Sequence, residues 1–157
     1  MKTCIQLLAA LAVFVILAPG CSHKSNQACG PCPEEPVAPL HLYFQFVSKT
    51  TGNNFFYGTS AQYKTTQLAM HHLINGKADT VTFNADTAKQ GFEVFLTPAH
   101  RSDTVTMNIA SLPQDNFIFQ TGTTETCCPS LVINYVLYDG TIVYNQQDGN
   151  KVVVLQK

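Results

Sequence analysis

From Leu40 onward the chain alternates its side chains with a period of two, and this limits the fold more than any other feature. Leu40, Leu42, Phe44 and Phe46 form one series, and His41, Tyr43, Gln45 and Val47 form the other. A strand sends successive side chains to opposite faces, so such a run fits a half-buried strand and not a helix. The pattern recurs at Leu68, Met70, His72 and Ile74, then at Val81, Phe83 and Ala85. It returns at Phe92, Val94 and Leu96, at Val105, Met107 and Ile109, and at Phe117 and Phe119. Leu131, Ile133, Tyr135 and Leu137, then Ile142 and Tyr144, then Val152 and Val154 with Val153 and Leu155 on the other face, complete the series. A further short strand is expected at Phe55-Phe56-Tyr57. Turn residues punctuate these runs: Thr50 to Asn54, Asn75-Gly76, Asp139-Gly140 and Asp148-Gly149-Asn150. Asn-Gly and Asp-Gly tolerate the positive φ that two-residue hairpins require. Eight or nine short strands at this spacing predict an all-β antiparallel sandwich of immunoglobulin-like kind, with a small β-barrel as the alternative. Residues 61–73 are the one stretch that also fits a helical face, and the Asn-Gly after them favours a strand.

Composition removes other classes. A formal net charge of −1 provides no surplus of cations for a phosphate backbone, so no nucleic-acid partner is expected. Ten Phe and six Tyr argue against a disordered chain.

The first 20 residues differ from the rest. Lys2 precedes an apolar run from Ile5 to Ala18, broken only by Gln6 and ending in Ala18-Pro19-Gly20-Cys21. The run is shorter than the ~20 residues of a membrane span and has the flanks of a signal-peptide core. Small residues ending in cysteine resemble the lipobox of bacterial lipoproteins, with Ala18 where leucine is usual. The resemblance implies cleavage before Cys21 and acylation of its thiol by diacylglycerol, with palmitate-type chains. A plain secretory peptide cut after Gly20 is the other reading. One chain binds a bilayer marginally and two or three anchor stably. By the lipoprotein sorting rule, Ser22 after the cysteine implies the outer membrane. No acidic run follows Cys21, so the periplasmic face is expected over the cell surface.

Residues 21–39 then read as a lipid-anchored tether. Pro31, Pro33, Pro36 and Pro39 favour extended polyproline II, and no apolar periodicity is present. Residues 40–157 form the expected β domain.

The cysteines carry the most specific chemistry. Cys29-Gly30-Pro31-Cys32 has the sequence of a thioredoxin-type redox centre, but that chemistry needs a helix N-terminus and a βαβ context to lower the thiol pKa. Pro33, Glu34, Glu35 and Pro36 follow instead. In an oxidising compartment Cys29, Cys32, Cys127 and Cys128 are disulfide candidates, with three connectivities. A vicinal Cys127–Cys128 bridge is disfavoured, because adjacent Cα atoms lie closer than disulfides usually span. That leaves bridges from tether to loop, or a local Cys29–Cys32 pair. A zinc site from these thiols and His23 is not expected, because the second pair has no spacer.

No other catalytic, cofactor or metal constellation is expected. His71 and His72 should face opposite sides of a strand, one toward the core and one toward water. His41 and His100 have no carboxylate–histidine motif beside them, and no G-x-S-x-G or Gly-rich phosphate loop occurs. The acids Asp79, Asp86, Glu93, Asp103, Asp115, Glu125, Asp139 and Asp148 mostly coincide with expected turns. Asp79 to Asn84 matches Asp103 to Asn108 in five of six positions, a pattern that strand-favouring Thr and Val produce without duplication. Asp79-Thr80-Val81, Asp86-Thr87-Ala88 and Asp103-Thr104-Val105 resemble the O-glycosylation acceptor of Bacteroidetes, which implies Thr80, Thr87 and Thr104 as acceptors.

An anchored linker, an aromatic opening strand with a Thr-Gly turn (Leu42 to Gly52) and a Cys127-Cys128 pair resemble small Bacteroidetes lipoproteins of no assigned activity. The expected function is a non-catalytic binding or scaffold module with a protein or glycan partner, held on the periplasmic side of the outer membrane. Its expected contact surfaces are the tips at Asn75-Gly76 and Asp139-Gly140. The alternatives are a hydrolase whose site is assembled from scattered residues, and a thiol-disulfide oxidoreductase using Cys29 and Cys32.

Overall fold

The computed structural model describes residues 31–32, 39–124 and 126–157. The signal-peptide segment, Cys21 and Cys29 lie outside them. The chain divides into two units, Met1–Pro31 and Cys32–Lys157, and every strand below belongs to the second.

Among the described residues, ten strands form in the order β1 Leu40–Val47, β2 Leu68–Ile74, β3 Lys77–Thr80, β4 Phe83–Asp86, β5 Gly91–Leu96, β6 Ser102–Ile109, β7 Asp115–Thr123, β8 Leu131–Tyr138, β9 Thr141–Asn145 and β10 Val153–Gln156. They make two sheets. One has the order β10-β1-β5-β4, and the other β3-β2-β6-β7-β8-β9. Neighbours are antiparallel except β1 and β10, which run parallel with Phe44 opposite Val153. This is the expected β-sandwich, and it is not closed into a barrel.

The alternation accounts for the core. Leu42, Phe44 and Phe46 of β1, Phe92, Val94 and Leu96 of β5, and Val153 and Leu155 of β10 are buried from one sheet. Leu68, Met70, Val105, Met107, Ile109, Phe117, Phe119, Val136 and Tyr138 are buried from the other. Phe44 meets Phe117 between the sheets with ring centroids 5.0 Å apart. Burying a side chain of this size contributes about 1.5–3 kcal/mol. Asn75 and Gly76 (φ 50° and 75°) and Asp139 and Gly140 (φ 51° and 71°) make the expected hairpin turns.

Two local readings change. Residues 55–57 form no named strand. Phe55 and Phe56 are both buried, which alternation along a strand forbids. The Asn54 Oδ1 instead accepts from the amides of Phe56 (2.9 Å) and Tyr57 (3.2 Å), withdrawing both donors from a ladder. The run from Lys77 to Asp86 is not one strand either. It breaks at Val81-Thr82, leaving β3 on the larger sheet and β4 on the smaller, which raises the count to ten. The two similar hexapeptides are therefore not structural equivalents: Asp79 to Asn84 straddles this crossover, whereas Asp103 to Asn108 lies within β6.

Candidate functional site

The larger sheet ends in a polar cluster centred on Asp103, the second residue of β6. Its side chain faces inward, with a relative exposure of only 2%. A buried carboxylate needs donors, and Asp103 has them. Its Oδ2 accepts from the backbone amides of Ala99 and His100, both at 2.9 Å. Its Oδ1 lies 3.0 Å from His100 Nδ1. His72, buried on β2, places Nε2 3.3 Å from the same oxygen, out of line for a hydrogen bond. That nitrogen has no hydrogen-bond partner among the described residues. The His72 ring packs on Phe119, centroids 5.7 Å apart. Burial pushes the Asp103 carboxyl pKa up, but the His100 amide and ring, the Ala99 amide and the His72 ring outweigh it and leave the pKa below the usual value.

With Asp103 ionised and able only to accept, His100 Nδ1 carries the hydrogen. The imidazole is thereby oriented, and more than half of the side chain remains exposed. Beside it runs an open groove of about 660 Å3, lined by Pro98 to Arg101, Thr121 to Thr123, Leu131 and Asn134. Asn134 is the extra residue of a bulge: Gln120 pairs with Tyr135 and Thr121 with Ile133, so nothing opposes it. Among the described residues, no Asp or Glu lines the groove.

This cluster is what sequence reasoning missed. His71 and His72 do split between faces, with His72 buried and His71 half-buried. His100, however, does not stand apart from acids, and Asp103 is not a solvated turn residue. The readable signal was His100 and Asp103 three residues apart after a Pro98-Ala99 turn, which lets the acid cap the preceding amides. His72 joins only through the pairing of β2 with β6, where it stands opposite Val105.

The cysteines follow one of the open alternatives. Cys32 is bonded to Cys128, with Cα atoms 5.4 Å apart. Cys127 is also disulfide-bonded. The loop carrying Cys127 and Cys128 joins β7 to β8, and in sequence it lies between the groove residues Thr123 and Leu131. Of the threonines in glycosylation-like tripeptides, Thr80 and Thr87 are exposed and Thr104 is half-buried on β6. Among the described residues, no group of three or more His, Cys, Asp or Glu is arranged to hold a metal ion.

The two hairpin tips do not share a surface. The β2–β3 turn at Asn75-Gly76 lies at the end of the sheet where β6 begins, on the groove's side. The β8–β9 turn at Asp139-Gly140 lies toward the opposite end, near the start of β7. There Asp115 accepts from Tyr138 Oη at 2.6 Å and pairs with Lys157 Nζ at 3.0 Å.

No family model, curated protein or solved structure matches the chain.

Proposed function

We propose that this chain is a non-catalytic binding module, lipid-anchored through Cys21 on the periplasmic face of an outer membrane, with the Arg101 groove as its contact surface. The observation that carries this reading is the Cys32–Cys128 bridge. It ties the chain eleven residues beyond Cys21 (32 − 21 = 11) to the loop beside the groove. A stable bridge also suits an oxidising compartment. The lipobox-like Ala18-Pro19-Gly20-Cys21 supplies the anchor in this reading.

The test is the Cys21→Ser variant expressed with its signal segment intact. Wild-type protein should partition with membranes and show an intact mass carrying acyl chains, while the variant should be soluble and unacylated. An unacylated wild type, or a membrane-bound variant, overturns the anchored reading.

One observation favours an enzymatic reading, the His100–Asp103 pair, which resembles a general base with its orienting acid. A nucleophile would have to join it, and among the described residues no hydroxyl or thiol is hydrogen-bonded to the His100 ring. The oxidoreductase reading has less support, because Cys32 is bonded to Cys128 and not to Cys29.

A further inference from the structure

We propose that the groove beside His100 is a binding site for an oxyanion, either a carboxylate or a phosphate group, with Arg101 as its principal anchor. This deepens the binding-module reading and rests on it.

Arg101 is the only arginine in the 157 residues. It lines the groove, and among the described residues its guanidinium has no ion pair or hydrogen bond. Three lysines are by contrast paired with acids: Lys49 with Asp139, Lys151 with Asp148, and Lys157 with Asp115. A guanidinium presents a planar fork of donors that matches a carboxylate or phosphate in bidentate fashion, which an ammonium does not.

The lining suits the same ligand. Among the described residues that line the groove, none is an Asp or Glu that would compete for Arg101. Asp103, a nearby carboxylate among the described residues, is 2% exposed and turns its oxygens toward two backbone amides and the two imidazoles. Its charge is held behind His100 and offers no lone pair to the groove. Asn134 adds a second donor. Its side-chain amide lies over Gly122, so close that a Cβ there would sit 2.7 Å from Nδ2, and it has no hydrogen-bond partner among the described residues. Thr123 contributes a hydroxyl from the end of β7. His100, with Nδ1 committed to Asp103, leaves Nε2 as the polar atom free to meet a ligand. Donors from the β5–β6 loop, β7 and β8 thus converge on one open groove, and its position is fixed by a buried carboxylate and a strand bulge.

The experiment uses the full chain in detergent micelles, isotope-labelled and followed by amide NMR at constant ionic strength. It is titrated separately with sodium glucuronate, sodium phosphate and uncharged glucose. The expected result is a saturable shift of amides at Arg101, Thr121 to Thr123 and Asn134 with at least one of the two anions, and none with glucose. Saturation by glucuronate alone assigns a carboxylate ligand, and saturation by phosphate alone assigns a phosphate. Arg101→Ala should abolish the shift. Arg101→Lys should weaken binding by about tenfold, the scale of losing one charge-assisted hydrogen bond. Asn134→Ala should weaken it without altering the rest of the spectrum. If neither anion saturates, or Arg101→Ala binds as well as wild type, the proposal is overturned. Membrane anchoring through Cys21 is read in a separate assay, so loss of the oxyanion site leaves the anchored-module reading to stand or fall on its own result.

Discussion

His100 Nδ1 and Asp103 Oδ1 lie 3.0 Å apart, with the acid 2% exposed and the imidazole 57% exposed. One pair thus joins the interior of the larger sheet to the groove. The loop before β6 hangs on that carboxylate through two backbone bonds and one ring bond.

Asp103→Ala removes both acceptor oxygens, and with them three hydrogen bonds, and leaves two amides in partly buried surroundings. Unsatisfied donors of this kind cost about 1–3 kcal/mol, so the variant should lose about 3 kcal/mol of unfolding free energy in urea. Asp103→Asn keeps one carbonyl oxygen and should lose less. Equal stability of Asp103→Ala and wild type would show that the loop does not depend on the acid.

The acid limb of stability follows from the same geometry. The folded pKa of Asp103 is lowered, and so is that of Asp115, whose Tyr138 and Lys157 donors outweigh a burial effect that pushes upward. A carboxylate with a depressed folded pKa stabilises the fold above its unfolded value near pH 4. That stability is lost as pH falls through the folded value. Urea midpoints should therefore be level at neutral pH and fall below about pH 4. Asp103→Asn should flatten part of that fall, and an unchanged slope in the variant would assign it to other acids.

Tyr138 gives the test at the opposite end. Burial first, then the Asp115 carboxylate it donates to, push its phenol pKa up, so it stays protonated well past neutrality. Tyr138→Phe should cost about 1.5–3 kcal/mol, the range for a hydrogen bond to a charged group. It should also move the Asp115 carboxyl pKa toward its ordinary value, measured by carboxyl-carbon NMR titration.

Between the sheets, Phe44→Ala and Phe117→Ala should each cost about 3–5 kcal/mol. Because the rings touch, the double variant should lose less than the sum of the two. Strict additivity in a thermal denaturation cycle would place the rings in separate environments.

The Cys32–Cys128 bridge spans a sequence separation of 96 residues. By chain entropy alone such a crosslink contributes about 4.7 kcal/mol. Cys127 is itself disulfide-bonded, so Cys128→Ser should cost less than full reduction. Urea curves for wild type, Cys128→Ser and reduced wild type should therefore rank in that order of decreasing stability.

The strand pattern was legible because burial and period two coincide along β1, β5, β6 and β7. Phe44, Phe92, Val105 and Phe117 all face inward as the alternation requires. Residues 55–57 misled because a local side chain, Asn54, outcompeted the ladder for their amides, an effect that hydrophobic periodicity does not encode. The split of residues 77–86 was hidden because Val81, Phe83 and Ala85 alternate without a break in the sequence, while the sheet the chain joins changes between β3 and β4. Of the site, the spacing of His100 and Asp103 was visible in the sequence. The approach of His72 was not, since only the register between β2 and β6 determines it. The bulge that presents Asn134 depends on pairing in the same way. The tether-to-loop bridge was one of three connectivities, and only the three-dimensional proximity of residues 32 and 128 selects it.

The parallel pairing of β1 with β10 has a consequence for how the domain is made. The smaller sheet pairs residues 44–47 with 153–156, almost the full length of the domain apart. During synthesis, Phe44 and Phe46 lack their neighbours Val153 and Leu155 until β10 emerges. Contacts at such separation form late, because loop closure must come first. For that interval β1 offers a bare edge to any other extended chain, and the safest course for the nascent protein is to stay with a holding chaperone until its final residues arrive.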